Sequence, residues 1–211
     1  MKIEETLLEE ARLGELAERI IFYRYKIYSA TAVALTSMSA LLILLVLYFY
    51  WPRPNLLALT IFAAPFIVAA ILSMAFSKTF CTLHSELSKK GRRLSVKRIN
   101  LVFAASYSLP FIALYSVNPL PSWEEYAWYI ALALAHTSAY LFYERYMNAL
   151  LEMEVTRAYK ILSALFLATT PIVIQQALTE PQYAQPTALI LYTLVSIATV
   201  LEEIYGAERM L

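Results

Sequence analysis

The distribution of positive charge constrains this chain more than any other feature. Threaded through six apolar segments, at about 28–50, 56–77, 99–117, 126–143, 161–178 and 187–205, it leaves sixteen of its seventeen Lys and Arg residues on one side, with Arg53 alone on the other. Lys2, Arg12, Arg19, Arg24 and Lys26 precede the first segment, the 78–98 loop supplies seven more, Arg145, Arg157 and Lys160 follow the fourth, and Arg209 closes the tail. Each segment is near the ~20 residues that a helix needs to cross a ~30 Å hydrocarbon core. Because Lys and Arg concentrate in cytoplasmic loops, the pattern predicts an all-α, polytopic protein of the cell (plasma) membrane. Its six transmembrane helices form three hairpins, with the N-terminus and the C-terminus in the cytoplasm.

Composition removes the main alternatives. Apolar residues make up 60% of the chain and charged ones 16%, against roughly 25% charged in a soluble domain. The first segment exceeds a signal-peptide apolar region and follows a long charged stretch, so it is expected to stay in the mature protein. A net charge of +1 gives no overall nucleic-acid footprint. The single cysteine, Cys81, has no partner for an intramolecular disulfide, and Cys81-x-x-His84 lacks the second pair that a zinc site of about four ligands requires. No metal and no cofactor are expected.

Prolines mark the outer turns at Pro52 and Pro54, at Pro119 and Pro121, and from Pro181 through Pro186. Trp51, Trp123 and Trp128 fall at the outer ends of spans, where indole rings favour the headgroup layer, and Tyr23, Tyr25, Tyr28, Tyr143, Tyr146 and Tyr159 form a matching inner belt. The inner connections are poor in helix breakers, which predicts helical extensions into the cytoplasm over 78–98, with a turn near Gly91, and over 144–160. The chain divides into an amphipathic cytoplasmic helix, 1–27, and a transmembrane bundle, 28–211.

Within 1–27, Leu13, Leu16, Ala17, Ile20 and Ile21 recur at helical spacing. From Lys2 to Arg19 there are six Glu against three basic residues, a net −3, which is wrong for an anionic lipid surface and right for a protein partner. The 78–98 loop, with seven basic residues and one acid, carries +6, so it complements the acidic helix and the two are candidates to dock onto each other. The alternative reading is a solvated acidic helix and a basic loop that follows topology and attracts lipid phosphates. The expected contacts are Leu13, Leu16, Ile20 and Ile21 for apolar docking, and Lys89, Lys90, Arg92 and Arg93 for charged docking.

Chemistry-bearing residues are sparse. The spans hold no Asp, Glu, Lys or Arg except at their ends, and His136 alone approaches the midplane. Its imidazole is expected to be satisfied by a Thr, Ser or Tyr hydroxyl on a neighbouring helix, with a proton relay as the less favoured reading. Pro65, Pro110 and Pro171 are candidate kinks, with Ser108, Thr169 and Thr170 placed to engage freed carbonyls. Ala30, Ala34, Ala69, Ala70, Ala104 and Ala105 favour close helix packing. The pairs Glu202-Glu203 and Glu152-x-Glu154 read as solvated faces. No nucleotide loop, H-E-x-x-H sequence or nucleophile and base pair occurs, so no enzyme is expected.

Six spans, an N-terminal amphipathic helix and a helical loop after span two make a layout similar to the membrane subunits of ABC-2 type exporters. Those subunits often carry an E-x-G-T-L-E-like stretch in that loop, where this chain reads Phe80-Cys81-Thr82-Leu83-His84 and shares only Thr82-Leu83. The likeness is one of layout, and it implies an ATP-driven permease for a lipid-like or small apolar substrate as the alternative function. The leading expectation is a non-enzymatic membrane subunit that meets, besides the lipid bilayer, other membrane or cytoplasmic protein subunits or a second copy in a homo-oligomer.

Overall fold

The computed structural model describes residues 2–50, 95–116, 124–151 and 156–209, and, between 56 and 78, residues 56–61, 63, 64, 67, 68, 71, 75 and 78. Among them the secondary structure is entirely helical, with no strand. α1 runs over Lys2–Tyr50, α2 over Val96–Ser116 and α3 over Glu124–Ser138. A π-helical turn, Ala139–Glu144, leads directly from α3 into α4, Arg145–Leu151. α5 covers Ala158–Thr179 and α6 covers Pro181–Glu208. Among the described residues, four stretches are long and apolar enough to cross a membrane: Ala11–Phe49, Lys97–Ser116, Ala158–Thr179 and Pro181–Glu208. The 126–143 segment lies in α3 and the π turn, in a helical run that continues to Leu151.

The helices pack in the order α1, α6, α5, α3, α2, each against the next. Spacing explains which faces meet. On α3, Ala127, Ala131, Ala135 and Ala139 recur every four residues and are all buried. On α6, Ala184, Ala188, Tyr192 and Ser196 do the same. Small side chains let helix backbones approach closely, which matters where lipid supplies no hydrophobic drive for helix association. The core gathers Tyr129, Phe166, Val173, Tyr192 and Val195 between these faces. Interhelical hydroxyl bonds fasten them: Tyr129 to Thr169 at 2.6 Å, Thr137 to Ser163 at 2.9 Å, and the Tyr192 hydroxyl donating to the Ser37 carbonyl at 3.3 Å. The outward faces expose large apolar residues such as Leu101, Ile112, Leu178, Ile190 and Leu194, the inversion that a bilayer solvent permits.

Several expected features take a different form. Ala30 is buried as a packing residue, but Ala104 and Ala105 are exposed on α2, and Ala69 and Ala70 lie outside the described residues. Trp128 packs half-buried against the core, edge-on to Tyr192 at 6.0 Å. α6 begins at Pro181 itself, so the turn after α5 is Glu180 alone, and Pro186 lies inside α6. Proline suits this first helical position because its missing N–H would have no intrahelical acceptor. Pro110 and Pro171 sit inside continuing helices. The Thr169 and Thr170 hydroxyls bond the Leu165 and Phe166 carbonyls at 2.7 Å, one turn upstream of Pro171; the carbonyl that Pro171 itself frees, that of Leu167, is not among their acceptors. Pro65, Trp51, Trp123 and the first two outer turns lie outside the described residues.

The alanine face is expected to tolerate no added volume. Ala135→Leu should destabilise the bundle by about 1–3 kcal/mol through overpacking, whereas Ala104→Leu, on an exposed face, should stay within about 0.5 kcal/mol of the parent. Thermal unfolding of both variants in one mild detergent checks the contrast.

Candidate functional site

The first turn of α5 organises a buried polar cluster. A helix start leaves four N–H groups without intrahelical acceptors, and Arg157, at the capping position, supplies no side-chain cap. Two other helices do so. The Glu203 carboxylate of α6 accepts the Arg157 N–H at 2.9 Å through Oε1, and the Thr156 hydroxyl donates to its Oε2 at 3.4 Å. The Ala158 N–H reaches Thr156 Oγ1 at 3.2 Å. Glu144, at the end of the π turn, accepts the Tyr159 N–H at 2.8 Å and the Lys160 N–H at 3.4 Å, both through Oε2. The Ile161 N–H then makes the first helical bond, to the Arg157 carbonyl at 3.0 Å. Every donor of the first turn is thereby accounted for, and two negative charges sit at the positive end of the helix dipole.

Both carboxylates are 1% exposed, and helix geometry explains their positions. The buried series on α3 steps by four up to Ala139, and Glu144 follows five residues later. A uniform α-helix would rotate residue 144 off that face, and the π turn restores it. On α6, Glu203 and Ala207 continue the buried face at a step of four. Lys26 of α1 completes the cluster, 5% exposed, and its ammonium acts electrostatically on Glu203. Gly206 makes room for it: a Cβ built there would lie 2.9 Å from Lys26 Nζ. A helical glycine costs about 1 kcal/mol relative to alanine, and an added Cβ here would require the flexible end of Lys26 to shift. Burial of charge at this cost is sustainable only because each carboxylate is hydrogen-bonded.

An aromatic group adjoins the cluster. His136 stacks on Phe166 at 5.0 Å and meets Tyr107 edge-on at 5.4 Å and Tyr159 at 6.1 Å. Phe103 and Tyr143 close it, at 5.8 and 5.7 Å from Tyr159. His136 is held by rings, and its buried Nδ1 has no hydrogen-bond partner among the described residues. The hydroxyl expected to satisfy its imidazole is not among its contacts there, and one residue later Thr137 pairs with the Ser163 hydroxyl of α5 at 2.9 Å.

The apolar residues expected to dock a partner lie elsewhere. Leu13 and Leu16 are 61% and 54% exposed on α1, Ile20 is exposed at 37%, and Ile21 is half-buried. Lys89, Lys90, Arg92 and Arg93, with Cys81, His84 and Gly91, lie outside the described residues, as do Glu152 and Glu154. Glu202 is exposed as a solvated face requires, but Glu203 is not: its side chain is turned inward onto α5. Glu144 was hidden by its setting between Tyr143 and Arg145 at a span end. The available signal was the four-residue series of alanines leading towards it. Comparison with family models, with curated proteins and with solved structures gives no match.

The arrangement spends its carboxylates on backbone N–H groups, which is positioning chemistry. Glu203→Ala should cost about 1–3 kcal/mol, because the Arg157 N–H loses its acceptor in a buried site. Glu203→Gln keeps a carbonyl oxygen and should lose distinctly less. Thermal unfolding of the two variants, each compared with the parent chain, checks both outcomes.

Proposed function

We propose that the chain is a non-enzymatic integral membrane subunit of a larger assembly, crossing the cell membrane six times with both termini in the cytoplasm. The cytoplasmic end of α1 docks a partner protein. The observation that carries this reading is the length and bareness of α1. At 1.5 Å per residue, its 49 residues extend about 74 Å, more than twice the ~30 Å hydrocarbon core. Among the side chains described on α1, from Ala11 onward, the first that is buried is Phe22, while residues 11–17 are all exposed. Leu13, Leu16 and Ile20, spaced by three and four, stand on one helical stripe. The net charge of −3 from Lys2 to Arg19 turns this stripe away from anionic lipid and towards a basic protein surface. Lys89, Lys90, Arg92 and Arg93 supply a second, charged contact.

In native membranes cross-linked before solubilisation, a partner should co-purify with the chain. The variant L13E/L16E/I20E should lose it at least tenfold while retaining the parent's thermal stability, and K89E/K90E/R92E/R93E should weaken it as well. Undiminished co-purification with L13E/L16E/I20E contradicts the docking role of α1.

Orientation has a separate check. A membrane-impermeant maleimide should label Cys81 only in inverted vesicles. In a C81S background, Gln182→Cys, in the first turn of α6, should label only in right-side-out vesicles. The opposite pattern contradicts cytoplasmic termini.

A further inference from the structure

We propose that the cavity between the π turn, α4 and the start of α5 binds the phosphate of an anionic phospholipid. It is an open cleft of about 290 Å³, lined by Tyr140, Glu144, Arg145, Asn148 and Lys160. Arg145 and Lys160, both exposed, bring two cations from different helices to one opening. A guanidinium fork and an ammonium are the pair that phosphate oxygens favour, the first through paired N–H donors and the second as a point charge. The acidic lining residue does not oppose this. Glu144 is 1% exposed, and its Oε2 accepts the Tyr159 and Lys160 N–H groups, so the positive end of α5 offsets its charge. Asn148 is fixed at the rim by its amide, which donates to the Thr156 carbonyl at 3.3 Å.

What lies beyond the cavity selects a lipid over a soluble anion. Arg145 stands at the end of an exposed apolar stripe on α3 and the π turn that includes Leu134, Leu141 and Phe142. Lys160 stands at the end of a matching stripe on α5 that includes Leu167 and Leu178. α3 and α5 pack against each other, so acyl chains that follow these stripes bring the headgroup to both cations. Basic pockets between transmembrane helices at the cytoplasmic boundary recognise headgroups in this way. The inference rests on the membrane reading of the helices and is independent of docking at α1.

Native mass spectrometry of the full chain, released from mild detergent and titrated with phosphatidylglycerol, phosphatidylcholine or inorganic phosphate, tests it. The parent chain should retain one phosphatidylglycerol, with phosphatidylcholine held about tenfold more weakly. R145Q/K160Q should lose about tenfold in phosphatidylglycerol affinity, while R12Q/R19Q, which removes the same charge from α1, should lose none. Both replacements in R145Q/K160Q are exposed and keep the Lys160 N–H, which donates to the Glu144 carboxylate that caps α5. The single variants R145Q and K160Q, each expected to lose about threefold, decide the matter if the double variant does not fold. Equal retention of the two lipids, or unchanged binding in R145Q/K160Q and both singles, overturns the proposal. Displacement of phosphatidylglycerol by an equal concentration of inorganic phosphate also overturns it, and assigns the cavity to a free phosphate.

Discussion

A helix that begins inside a bundle must find acceptors for its first N–H groups away from water, and α5 finds them on α6 and on the π turn after α3. Much of the end of the bundle at which α5 begins follows from that requirement. Hydrogen bonds to a charged acceptor are worth about 1.5–3 kcal/mol each, and an unsatisfied N–H in the same place costs a comparable amount. Glu203 and Glu144 therefore tie three helical elements at one point, and Lys26 brings in α1 beside Gly206. Further along the helices the bundle is held by close alanine contacts and hydroxyl pairs, which are individually weak.

The π turn links this clamp to the rest of the fold. Without its extra residue per turn, the alanine face of α3 and the Glu144 carboxylate would point in different directions, and α5 would lose either its packing or its cap. A π insertion stretches the hydrogen-bond ladder, so it persists where the surroundings repay it. Here the return is the Tyr159 N–H bond at 2.8 Å. The same turn opens the cavity beside Arg145, so one irregularity in an otherwise continuous helix serves both helix capping and the proposed headgroup site. α1 stands apart from this economy. Its inner half is anchored at Phe22, Tyr25 and Lys26, and its N-terminal part carries leucines that the bundle does not cover.

Charge segregation and hydropathy made the all-helical character and the membrane-length segments legible, because a bilayer imposes length and composition on each crossing helix. The helical spacing of Leu13, Leu16 and Ile20 was equally readable, and their side chains are exposed. The inward turn of Glu203 was not, because a Glu-Glu pair at a span end has the composition of a solvated face, and only the register of Ala184, Ala188 and Tyr192 distinguishes the buried member. His136 shows the converse. A lone histidine in an apolar segment predicts a hydrogen bond, yet its ring neighbours come from two helices, α2 and α5, and the hydroxyl pair belongs to Thr137. Tertiary partners such as Phe166 and Tyr107 leave no local mark in sequence around residue 136.

The account turns on a rigid, internally capped end of the bundle from which α1 presents an uncovered face to a partner. Hydrogen exchange followed by mass spectrometry, on the chain in native membranes and again after purification into lipid nanodiscs, tests this most directly. The amides of residues 157–160 should exchange as slowly as the bundle core in both preparations. Residues 11–20 should be protected in native membranes and exchange at least tenfold faster once purified. Fast exchange at 157–160, or identical exchange of 11–20 in the two preparations, would contradict it.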